Sequence, residues 1–96
     1  MLTSKQRAAL RSLSNEMDAI MQVGKGGIGE ELITSVNNAL EARELIKMSA
    51  LETAPVTSRE AADILARETG AEVVSVVGRK FVLYRESKKK KKIVLA

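Results

Sequence analysis

The chain has no cysteine and no histidine. Without cysteine it can form neither a disulfide nor a thiolate metal site. Without histidine it lacks the commonest general base and the commonest metal ligand. Tryptophan is absent too, and Phe81 and Tyr84 are the only aromatic residues. Reading RNA by stacking bases on a sheet needs several exposed rings. At least one of these two is expected in the core, so that mode is excluded. No apolar run approaches the roughly 20 residues of a membrane-spanning helix. The opening Met1-Leu2-Thr3-Ser4-Lys5-Gln6-Arg7 has no apolar segment of the signal-peptide kind. The expected location is the cytoplasm. Ninety-six residues suit one small domain with a single core.

What the chain does have is charge, unevenly placed. Its formal net charge is +4, with sixteen Lys and Arg against twelve Asp and Glu. Five of the sixteen are the consecutive Lys88 to Lys92, which leaves eleven basic against twelve acidic residues before them. Residues 1–87 are therefore near neutral, and any polyanion site on them must be a local patch. Lys5, Arg7 and Arg11 open the chain with no acid among them, and Arg79, Lys80 and Arg85 cluster near its end. Arg7 and Arg11, four apart, can face one phosphate backbone from a helix.

Periodicity supplies the elements. Thr3 with Gln6 reads as a capping box, opening a helix to about residue 15 with apolar positions Ala9, Leu10, Leu13 and Met17. A short strand comes next, over about residues 19–23. Residues 29–42 read as a second helix with a stripe of Leu32, Ile33, Val36, Ala39 and Leu40. Residues 44–51 read as a second strand, and Pro55 breaks the chain after it. Thr57 with Glu60 is a second capping box, for a third helix with Ala61, Ile64 and Leu65 inside and a stop at Gly70. Residues 71–77 and 80–85 read as a hairpin turned at Gly78-Arg79. The order α-β-α-β-α-β-β predicts an α/β single domain with a four-stranded mixed sheet.

One motif stands out in this frame. Gly24-Lys25-Gly26-Gly27 falls between a strand and a helix. Glycines there let a ligand approach the backbone closely, the helix start favours an anion, and Lys25 adds a mobile cation at the tip. Gly24 to Gly27 is a GxxG loop, of the kind that clamps a nucleic-acid backbone. Gly24 to Gly29 also spells the dinucleotide fingerprint, with Glu52 near the position of its ribose-binding acid. The complete dinucleotide fold needs two βαβαβ halves, for which the chain is too short. No Cys–His, Ser–His or other catalytic constellation is present, so neither enzymatic activity nor a cofactor is expected.

Several segments together resemble a known family. They are Leu2 to Arg7 with Leu10-Arg11-Ser12-Leu13, Val23 to Ile28, Ala42-Arg43-Glu44-Leu45-Ile46-Lys47, and Val77-Gly78-Arg79 with Val82 to Ser87. In order and in coverage they are similar to the YhbY-like proteins, stand-alone CRM domains named for chloroplast RNA splicing and ribosome maturation. The resemblance implies an α/β RNA-binding fold whose GxxG loop and adjacent basic surface contact RNA. It also implies association with precursors of the large ribosomal subunit. The expected RNA-binding residues are Gly24, Lys25, Gly26, Gly27, Lys5, Arg7 and Arg11, with Arg79 and Arg85 beside them. The chain divides into a CRM-like domain over residues 1–87 and a basic tail over 88–96, expected to add affinity without sequence choice. The competing readings are a general RNA chaperone and, from another class, a small dinucleotide-binding protein.

Overall fold

Two capping boxes start two of the three helices. Thr3 N–H donates to Gln6 Oε1 at 3.0 Å while Gln6 N–H donates to Thr3 Oγ1 at 3.1 Å, opening α1, Ser4–Ser14. Thr57 and Glu60 repeat the exchange at 2.9 and 3.1 Å for α3, Ser58–Thr69, which ends at the left-handed Gly70. Helix α2, Glu30–Arg43, begins at Gly29 without a side-chain cap. The strands are β1, Met21–Val23, β2, Leu45–Ala50, β3, Glu72–Val77, and β4, Lys80–Tyr84. This computed structural model describes residues 2–89 and residue 93.

The order α-β-α-β-α-β-β and the four-stranded mixed sheet are as the sequence predicts. The strands lie in the order β1-β2-β4-β3. β1 is parallel to β2, and β4 is antiparallel to both β2 and β3. The ends of β1, β2 and β3 and the start of β4 therefore meet at one end of the sheet. The glycine loop, the β2–α3 connection and the Gly78-Arg79 turn all emerge there.

Both faces of the sheet are covered. Val36 and Leu40 of α2 and Ala61, Ala62 and Leu65 of α3 pack on Ile46, Met48, Phe81 and Leu83. On the other face Leu2 and Leu10 pack on Leu45, Val74, Val82 and Tyr84. Phe81 and Tyr84 are thus both buried, on opposite faces, where only one core aromatic was required. Helix α1 differs from its expected stripe. Leu10 and Ser14 meet the sheet, one turn apart, whereas Leu13 is 53 % exposed. Leu13 sits about 100° round the helix from Ser14, and Ser14 satisfies its hydroxyl on Arg11 O at 2.8 Å.

The end of α2 holds the segment after β4. Glu44 has φ 66°, a conformation usually left to glycine after a helix, and its carboxylate is fully buried. That carboxylate accepts from Ser87 N–H at 2.7 Å and Ile93 N–H at 2.6 Å. Glu41 accepts from the Ser87 hydroxyl, from Lys88 N–H at 3.1 Å and from Lys89 N–H at 3.3 Å. The first two lysines of the run are therefore held through their backbone, and Ile93 packs against the α1-side core. Lys90 to Lys92 and residues 94–96 lie outside the described residues.

The Ser87 hydroxyl is the main cause that holds the Glu41 carboxyl below its ordinary range. Partial burial opposes it, and the Lys89 and Lys88 N–H groups and Arg85 reinforce it. A depressed folded-state pKa means that the tether is complete above the ordinary carboxylate range and is lost as pH falls through the lowered value. The amide resonances of Ser87, Lys88 and Lys89 should titrate with a midpoint below that of a free glutamate, and Glu41→Gln should abolish the transition. A midpoint at the free-glutamate value would disprove the tether.

Candidate nucleic-acid interface

Strand β1 ends at Val23, and the chain turns at once. Gly27 N–H donates to Gly24 O at 3.0 Å, leaving Lys25 and Gly26 at the tip. Leu51 N–H donates to Val23 O at 2.8 Å and ties the base of the loop to the end of β2. The glycines serve different ends. Gly27 has φ +72°, and a Cβ there would lie 3.1 Å from Pro55 Cγ, so the fold requires glycine at this position. A Cβ at Gly24 would lie 3.8 Å from Leu51 Cδ1, an ordinary contact. At Gly26 a Cβ would meet nothing within 4 Å and the backbone is not left-handed. The fold does not ask for glycine at 26. Lys25 beside it is exposed. Glu30 and Glu31 occupy the first turn of α2 just beyond, where the helix dipole favours them.

The other expected cations divide by what they touch. Lys5 and Arg11 are exposed on α1. The Arg7 Nε–H donates to Val73 O at 3.4 Å, which places Arg7 at β3. That strand is the far edge of the sheet from β1, three strand spacings or roughly 14 Å away. The structure therefore does not bring Arg7 beside Lys25. Arg79 lies at the loop end of the sheet but pairs with Glu52 at 3.1 Å. That pair occupies the acid that the dinucleotide reading required for a ribose. Arg85 is spent internally. Its Nη1 donates to Asn37 Oδ1 and Thr69 O, both at 2.7 Å, and its Nη2 donates to Asn37 O at 3.1 Å.

Two cations outside the expected set face the α1 side. Lys47, on β2, donates from Nζ to Ser14 O at 3.3 Å, and Lys80 opens β4. Together with Arg11 they line a cavity beside α1. Lys47 was legible: it interrupts the apolar run Leu45-Ile46-Lys47-Met48, and two-residue alternation puts it on the face of Leu45. No group of His, Cys, Asp or Glu among the described residues could hold a metal ion. No helix among them is long and apolar enough to cross a membrane.

Comparisons with known proteins agree with the fold. A family model described as the CRS1 / YhbY (CRM) domain matches residues 2–85. A Bacillus subtilis protein named "Probable RNA-binding protein YqeI" is 42% identical over 95 residues, covering 99% of each chain. A Haemophilus influenzae protein named "RNA-binding protein" is 31% identical over 90 residues, covering 94% of this chain and 91% of that one. The solution structure of a Staphylococcus aureus protein titled "a putative RNA binding protein" superimposes with a TM-score of 0.82 at 46% identity, over the whole of both chains. The fold and the order of elements thus have one explanation: the chain belongs to the CRS1 / YhbY (CRM) domain family.

Proposed function

We propose that this protein is a non-enzymatic RNA-binding assembly factor that associates with large-subunit rRNA precursors in the cytoplasm. Lys25 contacts a phosphate, and the glycines beside it admit the RNA backbone. Lys5 and Arg11 extend the contact over α1, with Arg7 at its far end and Arg79 as an auxiliary cation once Glu52 releases it. Arg85 serves the fold. The observation that carries this reading is Gly26, a glycine at the tip of the loop that neither backbone conformation nor packing demands. Close approach of a ligand backbone supplies the missing reason. The relatives' names support RNA as that ligand. With both aromatics buried, recognition rests on phosphates, 2′-hydroxyls and RNA shape rather than on stacked bases. The resemblance to stand-alone CRM proteins supports a ribosomal precursor as the source of the RNA. The residues beyond 87 add affinity without choosing among RNAs.

The glycines should separate fold from binding. Gly27→Ala should cost about 1–2 kcal/mol for its left-handed backbone, lowering Tm by about 4–8 °C per kcal/mol. Gly26→Asp should leave Tm within a degree or two of wild type and weaken RNA binding severely. A folded Gly26→Asp variant with unchanged affinity would remove the basis of the proposal.

The cations should separate in the same way. Lys25→Ala should lower the slope of log affinity against log salt by about 0.7–0.9, the signature of one lost phosphate contact, with an unaltered circular dichroism spectrum. Arg85→Ala should instead lower stability, because it leaves Thr69 O and the Asn37 amide without their donor. A slope change in Arg85→Ala with no loss of stability would make Arg85 an RNA contact.

Crosslinking in cells, read by sequencing and beside gradient fractionation, tests the partner. Contacts should concentrate in large-subunit rRNA and in precursor particles, and should disappear when Lys25, Arg7 and Arg11 are neutralised together. Contacts spread evenly over messenger RNAs, without a precursor peak, would identify a general RNA chaperone.

A further inference from the structure

Helix α1 covers only part of its face of the sheet. Beside it the strand register leaves an open grid. Lys47, Val82 and Ser75 form one row across β2, β4 and β3. The next row toward the loop end is Ser49, Lys80 and Val77. Lys47 and Lys80 are diagonal neighbours on adjacent strands, about 7–8 Å apart at the backbone. Arg11 and Asn15 of the α1 end form the wall, and the space enclosed is about 190 Å³. None of the residues lining it is acidic.

Such a site is unusual for a fold to build for its own sake. Lys47 has a structural use, since it caps the carbonyl of Ser14 at the negative end of α1. Lys80 and Arg11 have no such use, yet they line the same space. An anion entering the cavity meets three cations. The floor then limits what the anion is attached to. Val77 is 73 % exposed, whereas Val82 is buried in the core beneath, so the apolar surface open beside the cations is that of Val77. The Ser75 hydroxyl and the Asn15 amide each offer both a donor and an acceptor. Cations at one side, an apolar floor and neutral polar groups at the rim match a phosphate joined to a planar heterocycle.

We propose that this cavity receives one nucleoside monophosphate unit of a bound RNA, its phosphate among Arg11, Lys47 and Lys80 and its base against Val77. The assignment to RNA rests on the function proposed above; the nucleotide chemistry rests on the cavity alone. The register supplies a route between the two sites. Gln22 pairs with Ser49, Ser49 with Lys80 and Lys80 with Val77, so one row crosses all four strands. Gln22 stands two residues before Gly24, and Lys80 is two strand spacings from it, roughly 10 Å. A single strand gripped at Lys25 can run along this row and turn one nucleotide into the cavity.

The test uses the isotope-labelled full chain, titrated separately with adenosine, cytidine, guanosine and uridine monophosphates, with inorganic phosphate, and with a short oligoribonucleotide. At least one monophosphate should move the amide resonances of Ser75, Val77 and Lys80, and should bind more tightly than phosphate alone. Lys80→Gln should weaken it about tenfold, the loss of one charge-assisted contact. Arg67→Gln, which removes an equal charge from α3, should not. Ser75→Leu fills the cavity without changing charge and should abolish the shifts while the spectrum of the remaining fold persists. The oligoribonucleotide should move the same resonances and lose affinity in Lys80→Gln.

If no monophosphate moves those resonances, or if Lys80→Gln and Arg67→Gln behave alike, the pocket is refuted while RNA binding through the loop still stands. If monophosphates bind there but the oligoribonucleotide leaves the cavity unperturbed, the site takes free nucleotides and its assignment to RNA is overturned.

Discussion

Strand β4 is the piece on which the rest depends. It is the last strand among the described residues, yet it lies between β2 and β3. Four of its five residues serve the two cores: Phe81 and Leu83 face α2 and α3, and Val82 and Tyr84 face α1. Both cores are incomplete without this segment. The insertion also sets polarity. With β4 in the middle, β1, β2 and β3 run parallel, and their outgoing loops must leave at one end of the sheet. The glycine loop, the Glu52-Arg79 pair and Lys80 are neighbours because of that pairing, although they are far apart in sequence.

The same strand explains how the charges are sorted. The chain beyond β4 is fastened to the end of α2. Arg85 N–H donates to Glu44 O at 2.9 Å, its guanidinium holds Asn37 and Thr69, and the Glu41 and Glu44 carboxylates take the backbone N–H groups of residues 87, 88, 89 and 93. A buried carboxylate is costly unless its oxygens are satisfied, and here they are satisfied by main chain. The unusual φ at Glu44 is kept because the side chain anchors what a glycine could not. Cations therefore fall into two groups. Arg85 and, in part, Arg7 and Arg79 complete internal contacts. Lys5, Lys25, Arg11 and Lys80 point where an external anion can reach them.

The sequence made the elements legible wherever the local signal carried its own mechanism. The two capping boxes fixed the starts of α1 and α3, Gly70 fixed an end, and Gly78 fixed the hairpin. In the α2 stripe Val36 and Leu40 are buried, and Leu32, Ile33 and Ala39 pack partly buried against the same core. What periodicity could not tell was which side of a marginal stripe meets the sheet. In α1 a satisfied serine lies inside and Leu13 outside, because the crossing of helix over sheet decides it and not hydropathy alone. Strand order was illegible for a related reason: the place of β4 rests on pairing between distant residues. At the site, the glycine loop was legible as a motif, but the different constraints on Gly26 and Gly27 were not. They differ only in φ and in what a Cβ would meet. Arg85 looked like Arg11 in one dimension, but its guanidinium is hydrogen-bonded to Asn37 and Thr69 while Arg11 is exposed.

Burial of both aromatics narrows how the proposed recognition can work. A protein without an aromatic platform cannot gain much from stacking bases in series. Phosphate contacts alone do not discriminate, since every RNA has them. Selectivity must then come from the spacing of contacts that a rigid scaffold holds apart. The sheet provides that spacing. Its row of paired residues fixes Lys80 relative to the glycine loop, and α1 fixes Lys5 and Arg11 relative to both. An RNA that is folded, with phosphates already held at compatible separations, would satisfy the set without losing the conformational freedom that a random strand must give up on binding. The difference between structured and unstructured RNA is then an entropy term, set by the partner's preorganisation rather than by its sequence. A small, aromatic-poor, near-neutral domain with a few free cations on a stiff sheet is suited to that kind of reading, because rigidity and not contact area is its main means of choice.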